Sequence, residues 1–289
     1  MSAPRLVTVT TGAATRPLAV RELIGRVGAL GWLDEAGGRV VVQVGVEGRS
    51  ARAVETAAAV AAALRERSPL RAVDVLDPAA SGPPRSGLAR ASGDADDAVE
   101  VQGPAGTGIR VPRAWFDGFF LVTVTAVRPD GRWRMGGALQ VQAETLARLN
   151  PGLPAAVLLA EAHRLGGADL AIACGAHPTA GDWWAASPNE VQLDGALARA
   201  AGLAPDDLPA IRVIARHESL EPWDTSVALP DLVDVPASAA RAALGATRER
   251  ASAATRRAVE DVGRISRTLR KVPQALRRKL ASRTRRKSA

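Results

Sequence analysis

The sequence predicts an α/β protein, with a mostly parallel sheet covered by helices and followed by a basic helical tail. Short aliphatic runs at residues 6–10, 39–46 and 72–76 alternate with long amphipathic segments, as expected for parallel strands joined by helices. The run Leu170-Ala171-Ile172-Ala173-Cys174 is apolar throughout, which is typical of a strand buried on both faces. With 47% hydrophobic and 24% charged residues, the composition is that of a globular protein.

The first part of the chain reads as strand, helix, strand, helix, strand. Apolar residues of segment 18–30 recur at helical spacing between the first two strands. Gly48 and Ser50 mark a turn and an N-cap for an Ala-rich helix over residues 51–67. Residues 77–97 are rich in Pro, Gly, Ser and Asp, so a surface loop is expected there.

The second part has the same alternation up to residue 217. The elements expected next, in order, are short strands from Val99, a strong strand over 119–124, a turn over 128–132, and helices over 142–149 and 155–165. The apolar run that begins at Leu170 then leads through a turn-rich loop, which contains His177, Pro178, Thr179, Gly181 and Asp182, into a helix that Gly202 ends. A short helix over residues 205–217 follows.

Charge divides the chain into an acidic body and a basic tail. Residues 241–289 carry 16 of the 38 Lys and Arg residues but only 3 of the 30 acids, which leaves 22 basic and 27 acidic residues in 1–240. We therefore expect an α/β domain over 1–218, a Pro-containing linker over 219–236, and a basic amphipathic helical tail over 237–289. Such a tail suits an anionic membrane surface or a protein partner, and less so nucleic acid, because no aromatic residues lie among its arginines.

Residue usage excludes several kinds of chemistry in the body. All three lysines lie in the tail, so a phosphate-loop lysine or a Schiff-base lysine is not expected in the α/β domain. Cys174 is the only cysteine, which excludes an intrachain disulfide and any iron–sulphur or multi-thiolate zinc site held by this chain alone. The three histidines have no paired spacing, so neither a metal nor another cofactor is expected.

No apolar run is long enough to span a bilayer, and no signal sequence is evident. We therefore expect a cytoplasmic protein, which is peripherally membrane-associated if its tail binds lipid.

Short motifs in the body resemble those of a known family. They are Val40 to Val46, Val111-Pro112, and Pro178-Thr179-Ala180-Gly181 followed by Ser187, Asp194 and Gly202. Together they are similar to the valine-rich strand, the central-strand entry and the C-terminal signature of the domain-of-unknown-function 362 family. The resemblance covers about residues 5–215 and excludes the tail.

The sequence keeps the apolar scaffold of that family but lacks several of its polar residues. The replacements are Gln43 and Gly45 for Lys and Asn, Ala126-Val127-Arg128-Pro129 for a Lys-x-His segment, Gln140-Val141 for a second Lys-Asn pair, and Cys174 or Gly175 for an acidic residue. Many members of the family also carry ferredoxin-type clusters, which a single cysteine cannot hold. The resemblance thus implies a divergent member, non-catalytic or altered in activity, that serves as an accessory or binding protein.

The segment after the Leu170 run supplies the candidate catalytic residues. His177 lies beside Thr179 and Asp182 at the expected carboxyl end of a strand, where a histidine can act as a general acid–base; a backbone-bonded loop histidine is the alternative. Asp194 could orient His177 or a ligand, or it could simply interact favourably with the dipole of its own helix.

Candidate ligand-binding residues lie in two turns. Gly48, Arg49 and Ser50 could offer backbone N–H groups and a guanidinium to a small anion, although the same residues serve ordinary turns and caps. Thr179, Gly181 and Trp183 could form the other side of the site, with Trp183 as a pocket wall or, alternatively, as part of a packed lid over the sheet edge. Three functions stay open: a binding or accessory protein, an enzyme for a small anionic substrate that uses His177, and a nucleic-acid binder that uses the tail.

Overall fold

In the computed structural model of the chain, the described residues are 7–11, 15–27, 39–45, 50–67, 73–76, 89–90, 98–102, 108–130, 134–165, 167–177, 181–216 and 219–220. They form an α/β fold with a mostly parallel sheet, as the sequence predicts. Of the predicted linker only residues 219 and 220 are described, and the predicted tail over 237–289 lies outside the described residues.

A seven-stranded sheet forms the centre of the fold, in the order β1-β11-β10-β7-β2-β3-β4. Its strands are β1 (Val7–Thr11), β2 (Arg39–Val44), β3 (Val73–Leu76), β4 (Ala89–Arg90), β7 (Gly118–Ala126), β10 (Leu170–His177) and β11 (Gly181–Ser187). Two hairpins stand apart from it, β5 (Ala98–Gln102) with β6 (Gly108–Pro112) and β8 (Arg128–Asp130) with β9 (Arg134–Gly136).

Only β11 runs against the other strands of this sheet. It pairs antiparallel with both β1 and β10, while β10, β7, β2, β3 and β4 pair parallel in succession. The carboxyl ends of β1, β10, β7 and β2 therefore lie at one edge, together with the first residues of β11.

Helices cover both faces of the sheet. They are α1 (Arg16–Val27), α2 (Ala51–Arg67), α3 (Arg113–Asp117), α4 (Ala138–Leu149), α5 (Ala155–Arg164), α6 (Glu190–Ala200) and α7 (Pro209–Ala215), with a 3-10 turn at Pro205–Asp207. Apolar residues of α1 and α2 pack with alternate valines of β2, whereas α4, α6 and α7 pack with the other face of β10 and β11. None of the helices in the described part of the chain is long and apolar enough to cross a bilayer.

The loop expected after β10 includes His177, Gly181 and Asp182, but His177 ends β10, and Gly181 and Asp182 begin strand β11, which spans residues 181–187. Residues 178–180 lie outside the described residues. Trp183 and Trp184 alternate between the two cores, so they are inner-strand residues rather than a lid over an edge. The sequence Gly181-Asp182-Trp183-Trp184-Ala185-Ala186-Ser187 has few β-branched residues, which is why it gives a weak strand signal. Its strand conformation comes from pairing on both sides, with β1 and with β10.

Two smaller differences occur around residues 128–142. The expected turn over 128–132 belongs to the β8–β9 hairpin, and α4 begins at Ala138 rather than at Gln142. Gly136 and Gly137 precede that helix, and as poor helix formers they set its start. The expected Gly202 cap is confirmed, since Gly202 has φ +72° and Leu203 N–H donates to the Ala198 carbonyl at 2.8 Å.

A candidate ligand cleft

The cleft lies beside two neighbouring parallel strands whose following helices pack on opposite faces of the sheet. Strand β2 leads into α2, whose Ala57 and Val60 pack on one face, and β7 leads through the β8–β9 hairpin to α4, whose Leu139 and Ala143 pack on the other. Because β2 and β7 are adjacent, a crevice opens beyond their carboxyl ends. In open α/β sheets this switch point is where ligands generally bind.

The lining of the cleft combines small residues with a few polar side chains. It consists of Gly45, Ser50, Ala53, Thr125, Ala126, Arg128, Gly136, Gly137, Gln140, Val141 and Glu144. The enclosed space is about 20 Å³, enough for one ordered water. A larger ligand group would therefore need the walls to separate or would enter from the open side.

Three polar side chains form the wall on the α4 side. Glu144 is buried and accepts hydrogen bonds from the Arg128 guanidinium, at 3.3 Å from Nη2, and from the Gln140 amide. Arg128 keeps about 29% of its side chain exposed. Glu144 thus fixes the guanidinium at the cleft while leaving part of it accessible to a ligand.

The start of α2 forms the opposite wall. Ser50 Oγ accepts the Ala53 N–H at 3.0 Å, so the N-cap predicted at Ser50 is confirmed. The 17-residue helix places the positive end of its dipole at the cleft, which favours a negatively charged ligand group there.

The start of α4 is already occupied by a carboxylate of the protein itself. Asp194, which is buried on α6, accepts the N–H groups of Ala138 at 2.8 Å and Leu139 at 3.1 Å. Gly137 permits this approach, since a Cβ there would lie 2.3 Å from an Asp194 carboxylate oxygen. The pKa of Asp194 is raised to about 7, chiefly by burial and to a smaller extent by the nearby Glu190, while the two backbone hydrogen bonds oppose the rise.

The predicted catalytic residues lie in different surroundings. His177 ends β10 and pairs with Gly181, on the same sheet edge as Ser50. Asp194 is in contact with the start of α4 and is absent from the cleft lining. The structure therefore brings His177 and Ser50 to one edge, as the enzyme hypothesis requires, whereas the catalytic roles of His177 and Asp194 stay predictions.

The predicted ligand-binding residues are also dispersed. Ser50 lines the cleft and Gly181 begins β11 with φ +73°. Trp183 is 1% exposed and packs on Gly175, where a Cβ would lie 2.3 Å from the indole. Gly48, Arg49 and Thr179 lie outside the described residues. Ser50 alone of the described candidates contributes to the lining, and ligand contact by the others stays a prediction.

Sequence reasoning missed Arg128 and Glu144 as candidate site residues. The sequence contains one indication of the cleft. Gly45, residues 126–129 and Gln140 are positions at which the chain differs from the pattern of the family that it resembles, and the cleft lining includes residues from all three.

Buried polar groups elsewhere serve the scaffold. Gln43 is fully buried, donates to Thr145 Oγ1 at 2.6 Å and accepts from the Trp115 indole at 2.8 Å, which ties β2 to α4 and α3. Burial raises the pKa of the Cys174 thiol to about 11, so this thiol is a poor nucleophile at neutral pH. Within the described ranges, no group of three His, Cys, Asp or Glu side chains is placed to hold a metal ion.

Comparison with known proteins gives distant structural similarities only. No protein-family model matches the sequence, and no curated protein does, so the resemblance to the domain-of-unknown-function 362 family is not confirmed. The lactate racemase apoprotein from Thermoanaerobacterium thermosaccharolyticum is similar at 14% identity and a TM-score of 0.44, over 61% of this chain and 54% of that one. The chain thus spans about half the length of that protein, and a similarity at this level identifies no shared activity.

Proposed function

We propose that the chain is a binding protein for a small anionic ligand, which occupies the cleft at the carboxyl ends of β2 and β7. The observation that carries this proposal is the position of Arg128 at a switch-point crevice, opposite the start of α2. A guanidinium and a helix N-terminus both favour a carboxylate or phosphate group. In this reading the protein is a divergent relative of the resembled family, acts in the cytoplasm, and has a tail for a membrane surface or a protein partner.

The charge balance of the cleft supports a ligand with one small anionic group. Glu144 offsets the charge of Arg128 but engages only part of the guanidinium, which has five N–H donors. The start of α4 cannot take the anion, because Asp194 already accepts its N–H groups. The positive end of α2 therefore supplies the surplus of positive potential.

Arg128→Gln tests the proposal by replacing the charged guanidinium with a neutral carboxamide that can still form hydrogen bonds. Calorimetric titration with inorganic phosphate, acetate and dicarboxylates should show binding by the unaltered protein and a loss of about 10-fold or more in Arg128→Gln, since a charge-assisted hydrogen bond contributes about 1.5–3 kcal/mol. Arg212→Gln is the matched control, because Arg212 is an exposed arginine on α7 that is absent from the cleft lining.

Equal affinity in Arg128→Gln and Arg212→Gln would contradict the proposal, as would absence of binding by the unaltered protein at millimolar concentrations. Circular dichroism spectra of both variants should match that of the parent protein, because Arg128 and Arg212 are both partly exposed.

An enzyme that acts on a small anionic substrate is the second candidate. The observation that favours it is the shared edge: His177 ends β10, β10 pairs with β7, and β7 pairs with the strand that precedes Ser50. In this case His177→Asn should lower turnover by about 10²–10⁴-fold, the usual contribution of general acid–base catalysis, and leave anion affinity within about 2-fold. Turnover retained in His177→Asn would exclude that role.

A further inference from the structure

A second group of charged residues lies at the same edge of the sheet, on the side of β1, β10 and β11. Arg16 is the first residue of α1, Arg52 is the second residue of α2, and Asp182 is the second residue of β11. Asp182 pairs with Thr11 at the end of β1. The three side chains therefore come from segments that meet at the carboxyl ends of the parallel strands.

Asp182 holds the two arginines next to one another. One carboxylate oxygen accepts from Arg52 Nη2 at 2.9 Å, and the other lies 3.6 Å from Arg16 Nη2. Glu55 contacts the other terminal nitrogen of Arg16 and is more than half exposed. Asp182 thus offsets the repulsion between the two guanidinium groups, since each of them lies near one of its carboxylate oxygens.

Both arginines have a buried N–H donor that lacks an acceptor. Among the described residues, Arg16 Nε and Arg52 Nε have neither solvent contact nor a hydrogen-bond partner. Leaving a buried charged donor unsatisfied is costly. An oxyanion supplies several acceptor oxygens in a compact group and matches the fork of donors on a guanidinium.

We propose that Arg16 and Arg52 form a second anion site, for an oxyanion of the phosphate class, with Asp182 as the residue that positions them. This site is distinct from the cleft, whose lining includes neither arginine nor Asp182. The exposed Glu55 carboxylate swings away from Arg16 when the ion binds, since it is the acceptor that solvent can replace at least cost.

The test is a thermal-shift titration of the full chain with inorganic phosphate, against sodium chloride at matched ionic strength. Phosphate should raise the melting temperature of the parent protein in a saturable way, because a ligand that binds only the folded state stabilises it. Measured in an Arg128→Gln background, in which the cleft no longer contributes, the shift should disappear when Arg16→Gln/Arg52→Gln is added. It should persist when Arg21→Gln is added instead, a control in which an exposed arginine of α1 loses its contact with Glu66.

Two further variants keep the result decisive. Arg52→Lys retains the charge but loses the fork, so it should fold normally and bind phosphate about 10-fold more weakly. Arg128→Gln alone should lose the contribution of the cleft but keep a saturable phosphate shift, which separates this site from the cleft. A phosphate shift that disappears in Arg128→Gln but not in the double variant would place the ion in the cleft and overturn this proposal. Full phosphate affinity in both Arg52→Lys and the double variant would also overturn it, as would absence of any shift in the parent protein.

Discussion

Asp194 shows how one buried side chain can determine the shape of a site that it does not line. Its carboxylate lies on α6, yet it closes the start of α4, where Gly137 borders the cleft. Burial would strongly favour the protonated form, and the two backbone N–H donors oppose this. The protonation state of Asp194 is therefore coupled to the hydrogen bonds that hold the start of α4 beside the cleft.

This coupling gives a stability prediction with a definite sign. The pKa of Asp194 is about 7 in the folded protein against an ordinary value of 3.8, so between about pH 4 and pH 7 the folded state keeps a proton that the unfolded state has lost. The contribution of this group to the free energy of unfolding falls as pH rises through that window. Asp194→Asn should remove the fall.

Urea unfolding of the parent protein and Asp194→Asn at several pH values from 4 to 8 provides the measurement. The stability of the parent protein relative to the variant should decrease by up to about 1.4 kcal/mol for each pH unit within the window. Asp207→Asn is a control at an exposed carboxylate. A difference between Asp194→Asn and the parent protein that stays constant with pH would show that Asp194 does not titrate there.

At the scale of elements, the two helices that begin at the cleft are capped in different ways. Helix α2 is capped by its own Ser50, whereas α4 has no side-chain cap from its N-cap residue and depends on Asp194 from another helix. A local cap leaves the end of the helix accessible to a ligand, while a carboxylate from elsewhere blocks it. The contrast explains why only α2 is expected to attract an anion.

Gly137→Ala tests the dependence of α4 on this approach. The added methyl group would lie 2.3 Å from a carboxylate oxygen of Asp194, so the cap must break or the helix must shift. We expect a loss of about 1–3 kcal/mol in the free energy of unfolding, because buried N–H groups lose their acceptor. Gly25→Ala on α1, where a Cβ meets nothing within 4 Å, should instead be neutral or stabilising by about 0.5–1 kcal/mol. Equal effects of the two changes in urea unfolding would contradict this account.

Elements with strong local signals were predictable, and those defined by pairing were not. The bounds of α2 agree with the expected 51–67 because an Ala-rich amphipathic segment follows Ser50 directly. Strand β11 was missed because its conformation depends in part on pairing with β1, which lies far from it in sequence. The same reason hid the cleft, since Arg128 and Ser50 meet only through the parallel pairing of β2 with β7.

At the scale of the whole molecule, the sequence predicts two parts of opposite charge, and the described residues belong to the acidic one. The tail therefore keeps its sequence-based prediction of binding to an anionic surface. Full-length protein should sediment with phosphatidylglycerol vesicles at low salt and be released at about 0.5 M salt, since screening shortens the reach of surface charges. Protein without residues 241–289 should stay in the supernatant, with phosphatidylcholine vesicles as the neutral control.

Equal sedimentation of the two proteins would exclude the tail as a membrane-binding segment. The same pair of proteins distinguishes the nucleic-acid alternative, which requires a salt-sensitive shift of duplex DNA that the shorter protein lacks. A shift of DNA without sedimentation of vesicles would replace the membrane proposal with that alternative.

The position of β1 has a consequence for synthesis of the chain. Val7 pairs with Ala186 and Thr11 with Asp182, so the strand nearest the amino terminus cannot find its neighbour until most of the body has left the ribosome. Until then β1 has no partner in the sheet, and an unpaired strand offers the kind of bare hydrogen-bonding edge through which nascent chains associate with one another. The sheet is thus completed late in folding, by pairing of two strands that are distant in sequence. A chaperone would have most effect on the region around Thr11 and Asp182.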